Sequence, residues 1–430
     1  MKDEPLEKPL THHISAGKGP ASLADYEKAG GYEALRKAVK TMTPQDVQDM
    51  ITQSNLRGRG GAGFPTGKKW AAVPMGSEAR RPKYVVINAD EMEPGTFKDR
   101  FLLENNPHLA LEGALITAYA LDADAVYFFV RREYPEALKI LTKAIAEARG
   151  QGHIGAHAPG SNWSVECHVH GSMGRYMCGE ETALINALEG KRATPRGKPP
   201  FPQTAGLFGK PTVVNNVETI CNIPGIVSNG AAWFKSLGRG SDGGTKLYGI
   251  SGRVKKPGLW ELPMGTTVRE LIEEHAGGMR EGYSLKGFLP GGASTDFLTS
   301  LHLDVPMDFG SVQAAGSRLG TGTMIILDDR TCPVGMVHNL MDFFARESCG
   351  WCTPCRDGLP WTRNILADIE KGKGLTGDLE RLALHCTLLA PGRTFCALAP
   401  GAMEPLQSAL KYFNDDFTRH IKEKKCPYGK

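Results

Sequence analysis

Apolar positions along the chain change period several times, and each change predicts a change of element. Residues 1–57 read as an extended arm followed by helices at 32–39 and 43–54, the second with Thr43 as N-cap and Pro44 at the first helical position. A glycine-rich stretch follows. From residue 84, short β-branched or aromatic runs alternate with helical patterns, which predicts βαβ units and a largely parallel sheet. The expected strands are 84–87, 125–130 and the alternating Val165, Cys167 and Val169. Pro107 opens a helix with Leu111, Leu115 and Tyr119 on one face, and Leu138, Leu141, Ile145 and Ala148 stripe the next. Leu184 and Leu188 belong to a helix that starts after Gly179 and stops near Gly190.

The pattern shifts again near Lys246. There LYGISG, the turn Lys256-Pro257-Gly258 and LWEL predict a β-hairpin, followed by a Thr267-capped helix at 268–275. This is similar to a small β-grasp module, whose sheet the run 323–327 would close. The remaining hundred residues turn helical, with four helices expected at about 334–346, 358–371, 378–389 and 402–424. Leu406, Leu410, Phe413, Phe417 and Ile421 stripe the last. The expected fold class is α/β with α+β and all-α parts.

Composition narrows the function. The 430 residues carry 51 Lys+Arg against 47 Asp+Glu, a net charge of +4, and a chain of this length is expected to hold about three domains. So small an excess makes no cationic field for nucleic acid. Ten cysteines are too sparse for a disulfide scaffold, and the start MKDEPLEKPLTHH lacks both an apolar signal core and the acid-poor character of a transit peptide. A reducing compartment is expected. The most apolar region, 108–130, is interrupted by Glu112, Asp122 and Asp124 and falls short of the ~18 apolar residues that span a bilayer. Membrane association is expected only through partners.

The strongest chemical signal is Cys349-Gly-Trp-Cys352-Thr-Pro-Cys355, with Cys396 farther on. Three thiolates on one tight loop can reach three corners of an iron-sulfur cube and a remote fourth can close it, whereas zinc sites more often use two separated pairs. Structural zinc and unliganded thiols are the alternatives. The other six cysteines have no such spacing, and most of them read as buried free thiols. A second signal runs from Leu56 to Trp70. Gly58, Gly60 and Gly63 satisfy GxGxxG, but a helix rather than a strand precedes them, and Ala62 and Lys69 break the Walker pattern. Five glycines from Gly58 to Gly67 still let backbone N–H groups approach a phosphate, Gly60 through close approach or a positive φ, while Arg59, Lys68 and Lys69 supply charge. A flexible linker is the alternative. Third, Asn88, Asp90, Glu91 and Glu93 follow the first strand, where open α/β sheets bind ligands; a solvated acidic turn is the plainer reading. Glu180 and Glu181 at a helix start are equally first-turn residues favoured by the helix dipole. Asn215-Asn216 and the Lys198–Phe201 stretch taken alone read as turns.

Together GRGGAGFPTGKKW, NADEMEPGTFKDR, GRYMCGEETALINALEGKR, KPPFP, GKPTVVNNVET and ESCGWCTPCR resemble the NADH-binding flavoprotein subunits of respiratory complex I, in particular those of bacterial NADH:quinone oxidoreductase. The resemblance runs from about Tyr32 to the final helix. It implies a Rossmann-like FMN domain, a ubiquitin-like (β-grasp) domain and a C-terminal four-helix bundle holding a [4Fe-4S] cluster. The corresponding divisions are 1–68 for the arm and glycine loop, 69–240, 241–330 and 331–430. It assigns Gly58, Arg59, Gly60, Gly61 and Lys69 to a flavin cradle, and Asn88, Asp90, Tyr176, Glu180, Asn215, Asn216 and Thr219 to the surroundings of FMN. Phe64, Glu93, Glu181, Lys198 and Phe201 would hold NADH, with Glu93, Tyr176 and Glu181 as catalytic candidates. Cys349, Cys352, Cys355 and Cys396 match the cluster ligands. Two departures are Ser172-Met173 in place of a Gly-Ala pair and Ala72 in place of an aromatic.

The activity so implied is NADH:quinone oxidoreduction. Nicotinamide gives up two electrons together and an iron-sulfur cluster accepts one, so a flavin must stand between them. Implied partners are a thioredoxin-like [2Fe-2S] subunit and the large iron-sulfur subunit, on the cytoplasmic side of the bacterial inner membrane. Rival readings are the diaphorase subunit of an NAD-reducing hydrogenase or NAD-linked formate dehydrogenase, and a zinc-stabilised nucleotide-binding scaffold.

Overall fold

A computed structural model of the chain describes residues 6–14, 17 and 19–429. Part of the expected extended arm, residues 1–5, 15, 16 and 18, lies outside the described residues. The chain divides into two compact units: Met1–Met92, Phe97–Leu247 and Glu261–Gly265 form the first, and Glu93–Thr96, Tyr248–Trp260 and Thr266–Lys430 the second.

The first unit is built on four strands, β1 (Tyr84–Ala89), β2 (Ala125–Val130), β3 (Glu166–Gly171) and β4 (Thr212–Asn216). They form one sheet in the order β3-β2-β1-β4, parallel throughout. Val85, Val86 and Ile87 of β1 are all fully buried, so both faces of the sheet are covered, as parallel strands with helical crossovers require. On one face Leu184 and Ile185 of helix Glu181–Leu188 pack on Val86, Phe129 and Val214. The capped helix expected near Thr43 is present: Thr43 and Asp46 exchange side-chain-to-backbone bonds at the start of helix Pro44–Ser54.

Helix Pro107–Ala120 differs from its expected one-sided stripe. Every residue except Tyr119 is buried, because neighbouring helices and strands β1 and β2 together enclose it. The charge that interrupts its apolar run is accommodated there: Glu112 accepts from the Tyr26 hydroxyl at 2.5 Å and from Leu35 N at 3.0 Å. Burial nonetheless pushes its carboxyl above the usual range. One contact allows no side chain at all. A Cβ on Gly113 would lie 2.1 Å from the carbonyl oxygen of Ile220, so this helix meets helix Val217–Cys221 main chain to main chain.

The second sheet has the order β6-β5-β9-β7-β8, from β5 (Thr245–Ser251), β6 (Gly258–Pro263), β7 (Leu285–Leu289), β8 (Leu298–Thr299) and β9 (Thr323–Asp328). The expected hairpin is β5 and β6. β9 lies in the middle of the sheet rather than at its closing edge, parallel to β5 and antiparallel to β7. Thr267 does cap its helix, exchanging bonds with Glu270, but the turns that follow widen, with Ala276 N bonded to Leu271 O five residues back.

The final helical region has five helices, not four: Pro333–Glu347, Thr353–Glu370, Asp378–Leu388, Leu398–Tyr412 and Asn414–Glu423. The break falls at Phe413, whose φ of −124° and ψ of 26° are not helical. Its buried ring packs edge-on to Phe297, 5.3 Å between centroids. The apolar spacing of 402–424 continues through the break, so it is invisible to periodicity.

Candidate functional site

The glycine-rich stretch is a closed loop. Gly58 N bonds to Phe64 O at 2.9 Å, Thr66 N to Leu56 O at 2.8 Å, and Arg57 Nε to Gly63 O at 2.8 Å. Gly61 and Gly63 take φ of 122° and 63°, conformations that a side chain disfavours. Gly60 does not; it is required for space, since a Cβ there would lie 3.1 Å from Asn216 Cβ. Arg59 is 1% exposed. Its backbone N–H donates to Thr219 Oγ1 at 2.8 Å, and its guanidinium donates to the carbonyls of Gly243 at 3.0 Å and Thr245 at 3.3 Å.

This loop lies against the strand ends. In the order β3-β2-β1-β4 the direction of crossover reverses between β1 and β4, and such a switch point, at the carboxyl ends of the strands, is where open parallel sheets take ligands. Asn88 and Asn216 are register partners at those ends. Asn88 donates to Gly179 O at 2.9 Å, Asn215 Oδ1 accepts from Trp70 Nε1 at 3.0 Å, and Asn216 donates to Asp99 at 2.6 Å. Asp90 accepts from Ser172 Oγ at 2.5 Å, so the departure at 172 supplies a bond that a Gly-Ala pair lacks, while Met173 is exposed. Tyr176 is half-buried in the short turn Tyr176–Gly179.

The two adjacent glutamates have separate tasks. Glu180 is an N-cap, accepting from Thr182 N at 2.9 Å and Ala183 N at 2.8 Å. Glu181 accepts from Lys198 Nζ at 2.6 Å and Lys69 Nζ at 3.2 Å. Burial opposes its ionisation, but the two lysines prevail and hold its carboxyl below the usual range. Phe64 and Phe201 show 53% and 54% of their surface to solvent, which is unusual for large apolar rings and leaves their faces available for stacking.

A buried charge network beneath the loop escaped sequence reasoning. Lys98 Nζ lies 2.8 Å from Asp99 and 3.0 Å from Glu218, and Lys246 Nζ lies 3.0 Å from the same Glu218 oxygen, all of them almost wholly buried. Burial opposes the charge on Glu218, but Lys246, Lys98 and Arg59 hold its carboxyl at about 2. Burial pushes Lys246 down to about 8, against the pull of Glu218. Nearby Glu91, pushed up to about 7 by burial and by Asp99, accepts from Asp99 N at 2.9 Å. Arg59, Lys98 and Lys246 thus face Asp99, Glu218 and a Glu91 carboxyl that burial keeps partly protonated, which leaves the group cationic on balance. That excess, under a loop whose Gly60, Gly61 and Gly63 present main chain without side chains at a switch point, fits a ligand carrying a phosphate. The one signal in the sequence was Lys98-Asp99 and Glu218 closing two of the quoted motifs.

Glu93 belongs to the second unit, where it accepts from Ser294 N at 2.6 Å and lies against Gly292, whose φ is 104°. In the same unit Cys355 is buried, 3.2 Å from Ser348 Oγ, and Cys349, Cys352 and Cys396 are partly exposed. Burial pushes the Cys355 thiol up to about 12, and Cys352, Cys396 and Cys349 each add to the rise, which places those three sulfurs within electrostatic range of Cys355. Four convergent thiols fit an iron-sulfur cluster. The other six cysteines are buried, as expected.

Residues 51–225 match the family described as Nuo51 FMN-binding domain, 335–420 the NADH-ubiquinone oxidoreductase-F iron-sulfur binding region, and 247–297 the SLBB domain. The chain is 54% identical to the F subunit of NADH-quinone oxidoreductase from Escherichia coli, over 97% of this chain and 94% of that one. It is 46% identical to the corresponding F subunit from Mycobacterium tuberculosis, over 95% and 92%. Among solved structures, NAD+-reducing [NiFe]-hydrogenase in the air-oxidized state matches with a TM-score of 0.81 and 33% identity, covering 96% of this chain and 67% of that one. With an FMN-binding region, an iron-sulfur region and near-full-length identity of this order, the chain belongs to the family of NADH-quinone oxidoreductase F subunits and is the NADH-oxidising, FMN- and [4Fe-4S]-binding component of such an enzyme.

Proposed function

We propose that FMN lies at the β1/β4 switch point, its phosphate toward the loop Gly58–Gly61 and its polar edge toward Asn88, Asp90, Asn215 and Asn216, and that Cys349, Cys352, Cys355 and Cys396 ligate the cluster. The observation that carries the reading is the bare-backbone loop set over a buried cationic excess at the strand ends. When bound, FMN supplies the exchange between two-electron and one-electron chemistry. The protein's own residues bind and orient. Thr219 fixes the loop through Arg59 N, Trp70 fixes the Asn215 side chain, and Glu180 sets the start of the helix that carries Glu181. Glu181, kept ionised between Lys69 and Lys198, accepts hydrogen bonds from ribose hydroxyls and repels the additional phosphate of NADPH, while Phe64 and Phe201 stack on NADH rings. Tyr176 completes the nucleotide contacts of this unit.

The sub-domain layout we infer is a Rossmann-like portion at 69–240, a β-grasp portion at 241–330 and a cluster-binding helical portion at 331–430. Partners would be a [2Fe-2S] thioredoxin-like subunit and the large iron-sulfur subunit, at the cytoplasmic face of the inner membrane. Among the described residues no helix is long and apolar enough to cross a membrane. NADH added anaerobically to the FMN-loaded chain should bleach the flavin band, and NADPH should do so far more slowly. A protein that takes up no flavin, or whose flavin ignores NADH, would refute the reading.

A further inference from the structure

A second group of soft ligands lies apart from the four cysteines of the cluster. Cys332 Sγ caps helix Pro333–Glu347 by accepting from Gly335 N at 3.3 Å. His420 lies on helix Asn414–Glu423, and Cys426 follows where the chain leaves that helix through Lys424 at a φ of 50°. All three side chains are buried, and one ligating atom from each lies within 4.8 Å of the others. His420 Nε2 is 3.3 Å from Cys332 Sγ.

The tautomer follows from the other ring nitrogen. His420 Nδ1 is 2.6 Å from the backbone carbonyl of Asp416, which can only accept, so Nδ1 carries the proton and Nε2 turns its lone pair toward the two sulfurs. A carbonyl-bound Nδ1–H behind a free Nε2 is the usual arrangement around a metal-ligating histidine. The Asp416 carboxylate is committed elsewhere, to Lys286 at 2.7 Å and the Tyr428 hydroxyl at 2.5 Å. We propose that Cys332, His420 and Cys426 form a structural zinc site that pins the C-terminal segment to the start of the first bundle helix, with water in the fourth position. Two thiolates and a neutral imidazole around a divalent ion sum to zero charge, which a buried site can accept. Thiolate with imidazole selects zinc over hard cations. Ligand atoms on a zinc tetrahedron stand about 3.6 Å apart, within the span these three already show.

The step is an exchange: Zn2+ enters and the two thiol protons leave to solvent, with no change of oxidation state. The test uses the full chain with its cluster. After incubation with zinc and passage over a weak chelator, elemental analysis should find about one zinc per chain, and Cys426→Ser should lower that content about tenfold or more. Buried Cys386, outside the group, gives the control variant Cys386→Ala, which should keep its zinc. Because Cys426→Ser could disturb folding, zinc-edge X-ray absorption of the unaltered chain decides independently, with sulfur expected at about 2.3 Å and nitrogen at about 2.0 Å. Absence of zinc overturns the proposal. So does zinc that survives Cys426→Ser, zinc lost on Cys352→Ser instead, or a Cys332–Cys426 disulfide in intact-mass and peptide analysis.

Discussion

Replacing Gly60 tests the fit between the loop and the strand end most directly. The positive φ values belong to Gly61 and Gly63, so the expected effect at Gly60 comes from crowding alone. An alanine Cβ would stand 3.1 Å from Asn216 Cβ, a few tenths of an ångström too close, with the Asn216 amide carbon at 3.5 Å. Asn216 cannot retreat freely, because its amide donates to Asp99 at 2.6 Å and its oxygen faces buried Lys98 at 3.4 Å. Overpacking of this kind costs about 1–3 kcal/mol, with Gly60→Ala at the lower end and branched Gly60→Val at the upper. If the strain falls on the liganded loop, FMN affinity drops roughly fivefold for alanine and roughly 150-fold for valine. Gly150, at a helix end with no atom within 4 Å of a built Cβ, supplies Gly150→Ala as the neutral comparison. Quenching of FMN fluorescence on titration with the FMN-free chain gives the dissociation constants, and thermal melts of that same chain report whether the fold itself has suffered. A folded Gly60→Val variant whose FMN affinity stays within about twofold of the parent's would show that the loop does not depend on this contact.

Three further expectations follow from the two units. Cys355→Ser should lose iron and sulfide and loosen the helices around the cluster, whereas Cys386→Ala should retain both; iron and sulfide analysis showing the reverse would reject the ligand assignment. Glu181→Gln leaves Lys69 and Lys198 without their shared anion, so the Michaelis constant for NADH should rise and the preference over NADPH shrink, with Glu93→Gln tested beside it. Ferricyanide assays in which both variants match the parent would make these carboxylates structural. Burial, seconded by Asp99, raises the Glu91 carboxyl from 4.5 to about 7. The folded state therefore binds this proton more tightly than the unfolded one. The associated stability is complete below the unfolded value and is lost as pH rises through about 7, a decline of about 3 kcal/mol. Urea midpoints of Glu91→Gln should lack that slope between acid and pH 8, and an identical slope in both proteins would assign it to another group.

Local chemistry made much of this fold legible. Thr43 and Pro44 mark their helix start within two residues, and Ala125–Val130 is a strand by composition alone. The spacing of Cys349, Cys352 and Cys355 points toward shared ligation without any tertiary information. What stayed hidden depends on partners far along the chain. Lys98 and Glu218 are 120 residues apart, and beyond their places at the ends of two motifs nothing near either one indicates that a buried ion pair awaits it. Phe413 keeps its place in an unbroken apolar stripe, while its ring packs on distant Phe297 and under Lys286, contacts that no local pattern contains. Cys332 and Cys426 look like ordinary buried thiols until His420 is found between them.

The contact at Gly113 governs how firmly the glycine loop is seated. Between most helices, side chains act as cushions that change rotamer and absorb a small displacement. Here the carbonyl of Ile220 rests on bare backbone, so any shift of helix Pro107–Ala120 passes undamped to helix Val217–Cys221. That short helix carries Thr219, whose hydroxyl grips Arg59 N at 2.8 Å. The threonine side chain therefore joins the loop to two deeply enclosed helices of the unit, and the loop inherits the stiffness of the interior although it is itself a connection between elements.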